Sequence, residues 1–212
     1  NSSTGQITIK GAGACLVQLH VAATDYFREN TGTTTFTINK ADQADLILDT
    51  SVSSVVYRQS TLIQPSATGG STTATIKYQV DPDSDRNCKI VAGKLTFGDA
   101  GTYCAYFALR AGDANYKQEV SETHVVTIEK AEQAALVIGN SVKANVGSVA
   151  LFTNGGSGDG VVTYSVLSSG TANCSIAAGS STLIATSNGT CEISATKAAS
   201  TNYEEMASSD FE

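Results

Sequence analysis

The sequence predicts an all-β protein made of tandem antiparallel β-sandwich domains. The first reason is internal repetition, because three sequence landmarks recur in the same order at a spacing of about 86 to 90 residues. The second is alternation, since segments such as "TATIKYQV" and "GVVTYSVL" place apolar and polar residues in turn, as half-buried strands do. The third is turn chemistry, because glycine-rich clusters such as "NGGSGDG" and "SNGT" separate these segments. About seven short strands per period are typical of a β-sandwich.

The same landmarks define the domain organisation. The stretch "CEISATKAASTNY" from Cys191 aligns residue for residue with "CAYFALRAGDANY" from Cys104, and "CLVQLHVAATDY" from Cys15 fits with one residue fewer. The stretches "FTINKADQADLIL" and "VTIEKAEQAALVI" form a second landmark, and their linkers, without Gly or Pro, favour a stiff array. We therefore expect the C-terminal half of a repeat in residues 1–38, a complete repeat in 39–128 and a nearly complete repeat in 129–212.

Four of the five cysteines occupy equivalent places in two repeats. Cys88 and Cys104 are 16 positions apart, and Cys174 and Cys191 are 17 apart. This register predicts one disulfide in each repeat, which would stabilise the fold by about 3 kcal/mol. Paired cysteines need an oxidising compartment, so we expect an extracellular or cell-surface protein. The chain has no CxxC pair, which argues against a zinc site.

The fifth cysteine, Cys15, aligns with Cys104 and Cys191, the second members of the pairs. Its partner would therefore lie upstream of Asn1. We expect the first 38 residues to be half of a domain, with apolar faces and strand edges that need covering. Two explanations remain open: the chain is a segment of a longer tandem array, or it is a subunit that a neighbouring chain completes by strand addition.

A further set of residues recurs around the second cysteine and in the linker: Cys174, Gly189 to Ala195, Lys197, Ala198, Asn202 and Tyr203, together with Thr127, Ile128, Lys130, Ala131 and Gln133. Their order resembles the bacterial immunoglobulin-like repeats of very large secreted surface proteins, and the resemblance covers essentially the whole chain. It implies an immunoglobulin-like fold and a role as a stalk or spacer of an adhesin or related fibre. It brings no catalytic residues with it.

Two groups of residues are candidates for a binding role. The loop "DPDSD" places Asp81, Asp83 and Asp85 at alternate positions. This spacing can suit calcium, but the next repeat has "LSSGT" there, so we favour a solvated turn and keep calcium as the alternative. The tyrosines Tyr26, Tyr116 and Tyr203 recur after an Asp or Asn, and we expect them to pack over a turn as structural residues of the repeat. Apart from calcium, we expect no cofactor.

No enzymatic motif accompanies these candidates. His20 aligns with Arg110 and Lys197 and His124 with Thr34, and neither lies beside a nucleophile in a recognisable motif. The net charge of −7, with 13 scattered basic residues, argues against nucleic acid as a partner. No apolar run approaches the roughly 20 residues of a membrane span.

We therefore expect a non-enzymatic stalk or spacer segment of an extracellular bacterial surface fibre or adhesin, whose partners are neighbouring immunoglobulin-like domains or identical subunits. One alternative is a filament subunit assembled by strand complementation between chains. The other is a carbohydrate-binding or receptor-binding module, although the chain has no Trp and few aromatic residues.

Overall fold

The structure, a computed structural model, describes residues 5–58, 63–139 and 146–209, and β-strand is the only regular secondary structure in these ranges. The predicted all-β class is therefore confirmed. None of these residues forms a helix of the length and apolar character that crossing a membrane requires. Following the repeat, we call the residues up to 38 the first unit, those from 39 to 128 the second unit and those from 129 the third unit.

The strands divide among the units as follows. The first unit has β1 (Gly13–Val21) and β2 (Asn30–Ile38). The second unit has β3 (Leu46–Leu48), β4 (Ser54–Val56), β5 (Ala67–Gly69), β6 (Lys77–Val80), β7 (Lys89–Val91), β8 (Lys94–Thr96), β9 (Tyr103–Arg110), β10 (Glu119–Val120) and β11 (His124–Glu129). The third unit has β12 (Leu136–Ile138), β13 (Gly147–Ala150), β14 (Thr153–Gly155), β15 (Val162–Ser168), β16 (Cys174–Ile176), β17 (Thr182–Ala185), β18 (Glu192–Lys197) and β19 (Met206–Ala207).

A mixed sheet forms the main layer of the second unit. Its strand order is β10-β9-β11-β4, with β6 paired to β9 as well. The pair β11–β4 is parallel, and the other pairs are antiparallel. Strand β9 takes the central place because its sequence is apolar on both faces, with Cys104, Tyr106 and Ala108 buried on one face and Ala105 on the other.

The core of the second unit lies between this sheet and the pairs β3–β5 and β7–β8. Leu46 of β3 and Leu95 of β8 pack in one buried cluster with Tyr106 and Val126 of the mixed sheet. Burial alternates along β3 and β11, so each strand turns one face to the core and the other to solvent. This is the two-layer packing of a β-sandwich.

The third unit repeats these features. Its sheets have the orders β12-β14, β13-β17-β16 and β15-β18-β19. Leu136 of β12 packs in a second buried cluster with Ile193 and Ala195 of β18, at the positions that Leu46, Tyr106 and Ala108 hold in the second unit. Within the described residues, β18 has partners equivalent to β6 and β10 and none equivalent to β11.

The first unit is a hairpin whose core-facing side is open. Strands β1 and β2 pair over nine positions, from Gly13 opposite Ile38 to Val21 opposite Asn30. Leu19 is 67% exposed, whereas Ala108 at the equivalent position is fully buried. Phe36 is 49% exposed, whereas its equivalent Val126 is 0% exposed. Two residues of the first unit are therefore exposed at positions that belong to the core of the second unit.

Two equivalent glycines allow β3 and β12, the first strands of the second and third units, to lie close to their partner strands β5 and β14. Gly69 and Gly155 have φ of +103° and +90°, and a Cβ at either would lie 1.9 Å from the carbonyl oxygen of Asp45 or Ala135. No side chain fits in that space. The recurrent "GG" of the sequence is therefore a close-packing feature as well as a turn signal.

We predict that Gly69→Ala destabilises the second unit by about 3 kcal/mol, because the new methyl group meets main-chain atoms that cannot move independently. Gly93→Ala is the matched control. Gly93 also has positive φ, at +77°, but nothing lies within 4 Å of its Cβ position, so only the backbone term of about 1 kcal/mol applies. Urea unfolding measures both. Equal losses for the two variants would contradict the close approach at Gly69.

Candidate functional site at the repeat junctions

A buried glutamine joins the start of each complete unit to its own body. Gln43 donates from Nε2 to the carbonyl oxygens of Arg110, Ala111 and Lys117 at 3.2, 3.3 and 2.7 Å. Its Oε1 accepts from the backbone N–H groups of Ser71 and Thr72 at 3.0 and 3.1 Å. One side chain therefore satisfies backbone groups from two separate loops.

Gln133 repeats this network in the third unit. Its Nε2 donates to the carbonyl oxygens of Lys197, Ala198 and Glu204 at 3.4, 3.2 and 2.7 Å. Its Oε1 accepts from the N–H groups of Ser157 and Gly158 at 3.2 and 3.3 Å. Both glutamines are buried, so the linker motifs "KADQ" and "KAEQ" each end in an anchor.

The linker alanine two residues earlier holds the loop that follows β9 or β18. Ala41 N donates to Asn115 O at 2.9 Å and Ala41 O accepts from Lys117 N at 2.8 Å. Ala131 makes the same two bonds, to Asn202 O and from Glu204 N, both at 2.9 Å. These bonds use the main chain of the loop and leave the side chain of its asparagine free to contact another unit.

In the second unit a carboxylate also orders this loop. Asp113 Oδ1 accepts from the N–H groups of Asn115 and Tyr116 at 2.7 and 2.9 Å. These two bonds favour the charged form of Asp113 and therefore hold its pKa below the usual value. The bond from Asn115 N has the larger effect and that from Tyr116 N the next. The third unit has Ser200 at this position. Ser200 N donates to Tyr203 O at 2.9 Å, which closes the same turn as the bond from Asp113 N to Tyr116 O at 3.1 Å.

The asparagine of each loop contacts the preceding unit. Asn115 Oδ1 accepts from Ala12 N of the first unit at 3.0 Å, and Asn202 Oδ1 accepts from Ala100 N of the second unit at 2.8 Å. Ala12 and Ala100 occupy the same turn, just before the strand of the second cysteine. The junction between units is therefore built twice from the same donor and acceptor. We call this contact the asparagine clamp.

The junction of the second and third units has additional contacts. Asn202 Nδ2 donates to Asp99 Oδ1 at 2.9 Å, and the rings of Tyr57 and Tyr203 meet edge to face with centroids 5.6 Å apart. The Arg58 guanidinium lies 5.3 Å from the centroid of the Tyr57 ring and donates from Nε to its hydroxyl at 3.2 Å. These groups line a shallow polar cleft of about 320 Å³ at the junction.

The three tyrosines expected to be equivalent do not behave alike. Tyr116 and Tyr203 are half-buried in the loops just described, whereas Tyr26 is 91% exposed. In the first unit Phe27 makes the bonds of Tyr116: Thr24 N donates to Phe27 O at 2.8 Å, and Phe27 N donates to Thr24 Oγ1 at 3.1 Å. The alignment with one residue fewer is therefore wrong in this loop, and Phe27 is the counterpart of Tyr116.

Both predicted disulfides are present. Cys88 pairs with Cys104 with a Cα–Cα distance of 5.4 Å, and Cys174 pairs with Cys191 at 6.2 Å. Each closes a loop of the β7–β8 or β16–β17 region onto the strand that follows it. Cys15 is a free, half-buried thiol at the equivalent position of the first unit. That its partner lies upstream stays a prediction.

The aspartates of the "DPDSD" loop do not come together as a metal site. Asp81 Oδ1 accepts from Asp83 N at 3.0 Å and Asp85 Oδ1 accepts from Asn87 N at 2.9 Å, so two of the carboxylates close local turns. Within the described residues no group of three His, Cys, Asp or Glu side chains could hold a metal ion. These contacts favour the solvated turn, and calcium binding by Asp81, Asp83 and Asp85 stays a prediction.

The two histidines have separate surroundings. His124 Nε2 lies 2.8 Å from Val52 O, and its ring meets that of Tyr106 edge to face. His20 lies exposed, 3.5 Å from the carboxylate of Glu29. Within the described residues, neither histidine forms a hydrogen bond with a serine or cysteine side chain.

No protein-family model matches the chain, and no curated protein is significantly similar to it.

Sequence reasoning did not assign the asparagine clamp or the glutamine anchors. Gln133 and Asn202 are part of the recurrent pattern, so the signal was their identity between repeats. A repeat pattern shows that a side chain recurs, but it does not show which backbone groups it reaches.

We predict that Asn202→Ala speeds hydrogen exchange of the Ala100 amide by about tenfold, because that amide loses its acceptor. Thr201→Ala, an exposed change in the same loop, should leave the rate unchanged and serves as the control.

Asn202→Asp keeps an acceptor but sets a second carboxylate against Asp99. The junction of that variant should open at pH 7 and close again in acid, where repulsion raises one pKa and the carboxyl protonates. An unchanged Ala100 rate in Asn202→Ala would contradict the clamp.

Proposed function

We propose that this chain is a non-enzymatic stalk or spacer segment of an extracellular bacterial surface fibre, built of immunoglobulin-like repeats. The observation that carries the proposal is the asparagine clamp, which joins successive units by the same bond at 3.0 and 2.8 Å. A protein whose task is to hold a distance needs every junction set alike, whereas a catalyst needs a pocket with matched acid and base groups. The glutamine anchors support this reading, because they shorten the free linker between units to almost nothing.

The fold supports the immunoglobulin-like assignment. Strands β6, β9 and β11 form a three-stranded arrangement like the C, F and G strands of such domains, and β4 adds to β11 in parallel. The disulfides support export, since they form only where thiols can be oxidised. They also lie inside single units, so each would limit how far its own unit extends under load.

A second candidate, a filament subunit completed by strands of a neighbouring chain, is favoured by the open face of the first unit. Ile7 is 50% exposed, whereas Leu95 at the equivalent position of the second unit is 1% exposed. Leu16, Leu19 and Phe36 add further exposed apolar surface. Light scattering of the purified chain distinguishes the two candidates: a stalk segment stays at 21.8 kDa or forms irregular aggregates, and a subunit forms regular filaments.

We predict a specific mechanical signature for the stalk. When the oxidised chain is pulled from its ends, the residues between Cys88 and Cys104 cannot extend. Reduction should lengthen the unfolding step of the second unit by about 5 nm, since 16 further residues extend at about 3.4 Å each. Single-molecule force spectroscopy measures the step directly.

The double variant Cys88→Ser with Cys104→Ser provides the control. It should show the long step without reductant, while the third unit of the same molecule keeps its short step until Cys174–Cys191 is reduced. Steps of equal length before and after reduction would contradict the disulfide limit. Unfolding at forces of a few piconewtons would contradict a load-bearing role.

A further inference from the structure

The second unit has a groove between two sheet edges, which we call the β3–β10 groove. It is lined by Asp45 to Leu48 and Thr50 on one side and by Glu119 to His124 on the other, with a volume of about 500 Å³. Strand β3 pairs only with β5, and β10 pairs only with β9, so each is an edge strand within the described chain. The groove is therefore bounded by two unpaired strand edges that face each other.

The backbone register shows which groups face the groove. Asp49 N donates to Ser66 O at 2.9 Å, so Ile47 and Asp49 bond toward β5 and the alternate residues Leu46 and Leu48 point their N–H and C=O groups away from it. Ser121 N donates to Ala108 O at 2.9 Å, so Val120 points its backbone groups away from β9 in the same manner. An extended chain between the edges could bond to both.

Hydrogen bonds fix the groove at both ends. At one end Gln43 joins the beginning of β3 to Lys117 O, and at the other end His124 Nε2 contacts Val52 O at 2.8 Å. Eight residues lie between Gln43 and Val52 on one side, and six lie between Lys117 and His124 on the other. The groove is thus preformed, and binding to it requires little reorganisation of the protein.

The groove is lined by acidic side chains, which favour a basic ligand. Asp45, Glu119 and Glu122 line it, no Lys or Arg does, and none of the three carboxylates forms an ion pair with another described residue. Between them Ile47 is 66% exposed and Val120 is 45% exposed. This combination of carboxylates and apolar side chains is complementary to an extended peptide that alternates basic and apolar residues.

The third unit shows that the fold does not need these carboxylates. By the repeat register, Asp45, Glu119 and Glu122 correspond to Ala135, Met206 and Ser209. Ala108 N donates to Ser121 Oγ at 2.9 Å in the second unit, and Ala195 N donates to Ser208 Oγ at 3.0 Å in the third. This shared bond establishes which residues of the two units correspond at this edge. The three carboxylates of the groove therefore have no counterparts at the equivalent positions of the third unit.

We propose that the β3–β10 groove binds an extended basic peptide segment of another protein by strand addition. The partner contributes main-chain bonds to Leu46, Leu48 and Val120, and its Lys or Arg side chains reach the three carboxylates. A second copy of this chain is a poorer occupant, because two molecules of net charge −7 repel each other. This binding activity goes beyond the proposed stalk function and does not depend on it.

The test uses the full chain and a capped seven-residue peptide that alternates valine and lysine. Calorimetry or fluorescence anisotropy should detect binding, and the variant Asp45→Asn with Glu119→Gln and Glu122→Gln should weaken it about tenfold. Hydrogen exchange should slow at the amides of Leu46, Leu48 and Val120 when peptide is bound. The equivalent amides of the third unit, those of Leu136, Ile138 and Ala207, should not change.

A charge-matched control separates the groove from general attraction. The variant Asp159→Asn with Glu192→Gln and Glu205→Gln removes three exposed carboxylates from the third unit and should bind the peptide as the parent chain does. Equal weakening in both triple variants, binding without slower exchange at the three amides, or equal affinity for a valine–glutamate peptide would overturn the proposal. Protection of the same amides by self-association, without peptide, would assign the groove to a second copy and overturn it as well.

Discussion

The arrangement of each complete unit depends on one buried amide. Gln43 or Gln133 brings together the incoming linker, the loop after the central strand and the turn before β6 or β15. Most of those backbone groups lie in loops, so hydrogen bonds between paired strands do not satisfy them. Without the glutamine, buried N–H and C=O groups would lack partners, at a cost of roughly 1 to 3 kcal/mol each. The asparagine clamp follows from this anchor, because the loop that carries the asparagine is held in place by the same linker.

The fold was predictable because its signals are periodic. Alternation along β3 and β11, the glycine pairs and the matched cysteines each repeat, so register, class and disulfides follow from aligning the chain with itself. The site was less predictable, because its chemistry lies in side chains that bond to main-chain atoms of distant loops. The loop of alternate aspartates illustrates this, because their spacing suits a metal ion but does not show that Asp81 and Asp85 accept from N–H groups of their own turns. The misaligned Tyr26 arose because sequence identity was preferred to equal spacing from the cysteine.

The units also differ in an informative way. What they share lies in the core and at the junctions. Leu46 and Leu136 hold equivalent core positions, Gln43 and Gln133 bond to equivalent loops, and Asn115 and Asn202 accept from equivalent N–H groups. What distinguishes them lies on edges and loops, where packing imposes little. A repeat architecture of this kind separates the residues that maintain spacing from those that are free to acquire a local role.

The asparagine clamp has a consequence for the order of units in such a chain. The asparagine oxygen accepts from a main-chain N–H, here that of Ala12 or Ala100, so the bond does not depend on the side chain of the residue that donates. Only proline, which lacks the N–H, is excluded. The clamp bond itself would therefore survive the exchange of one repeat for another, so this contact does not fix the order in which such units follow one another.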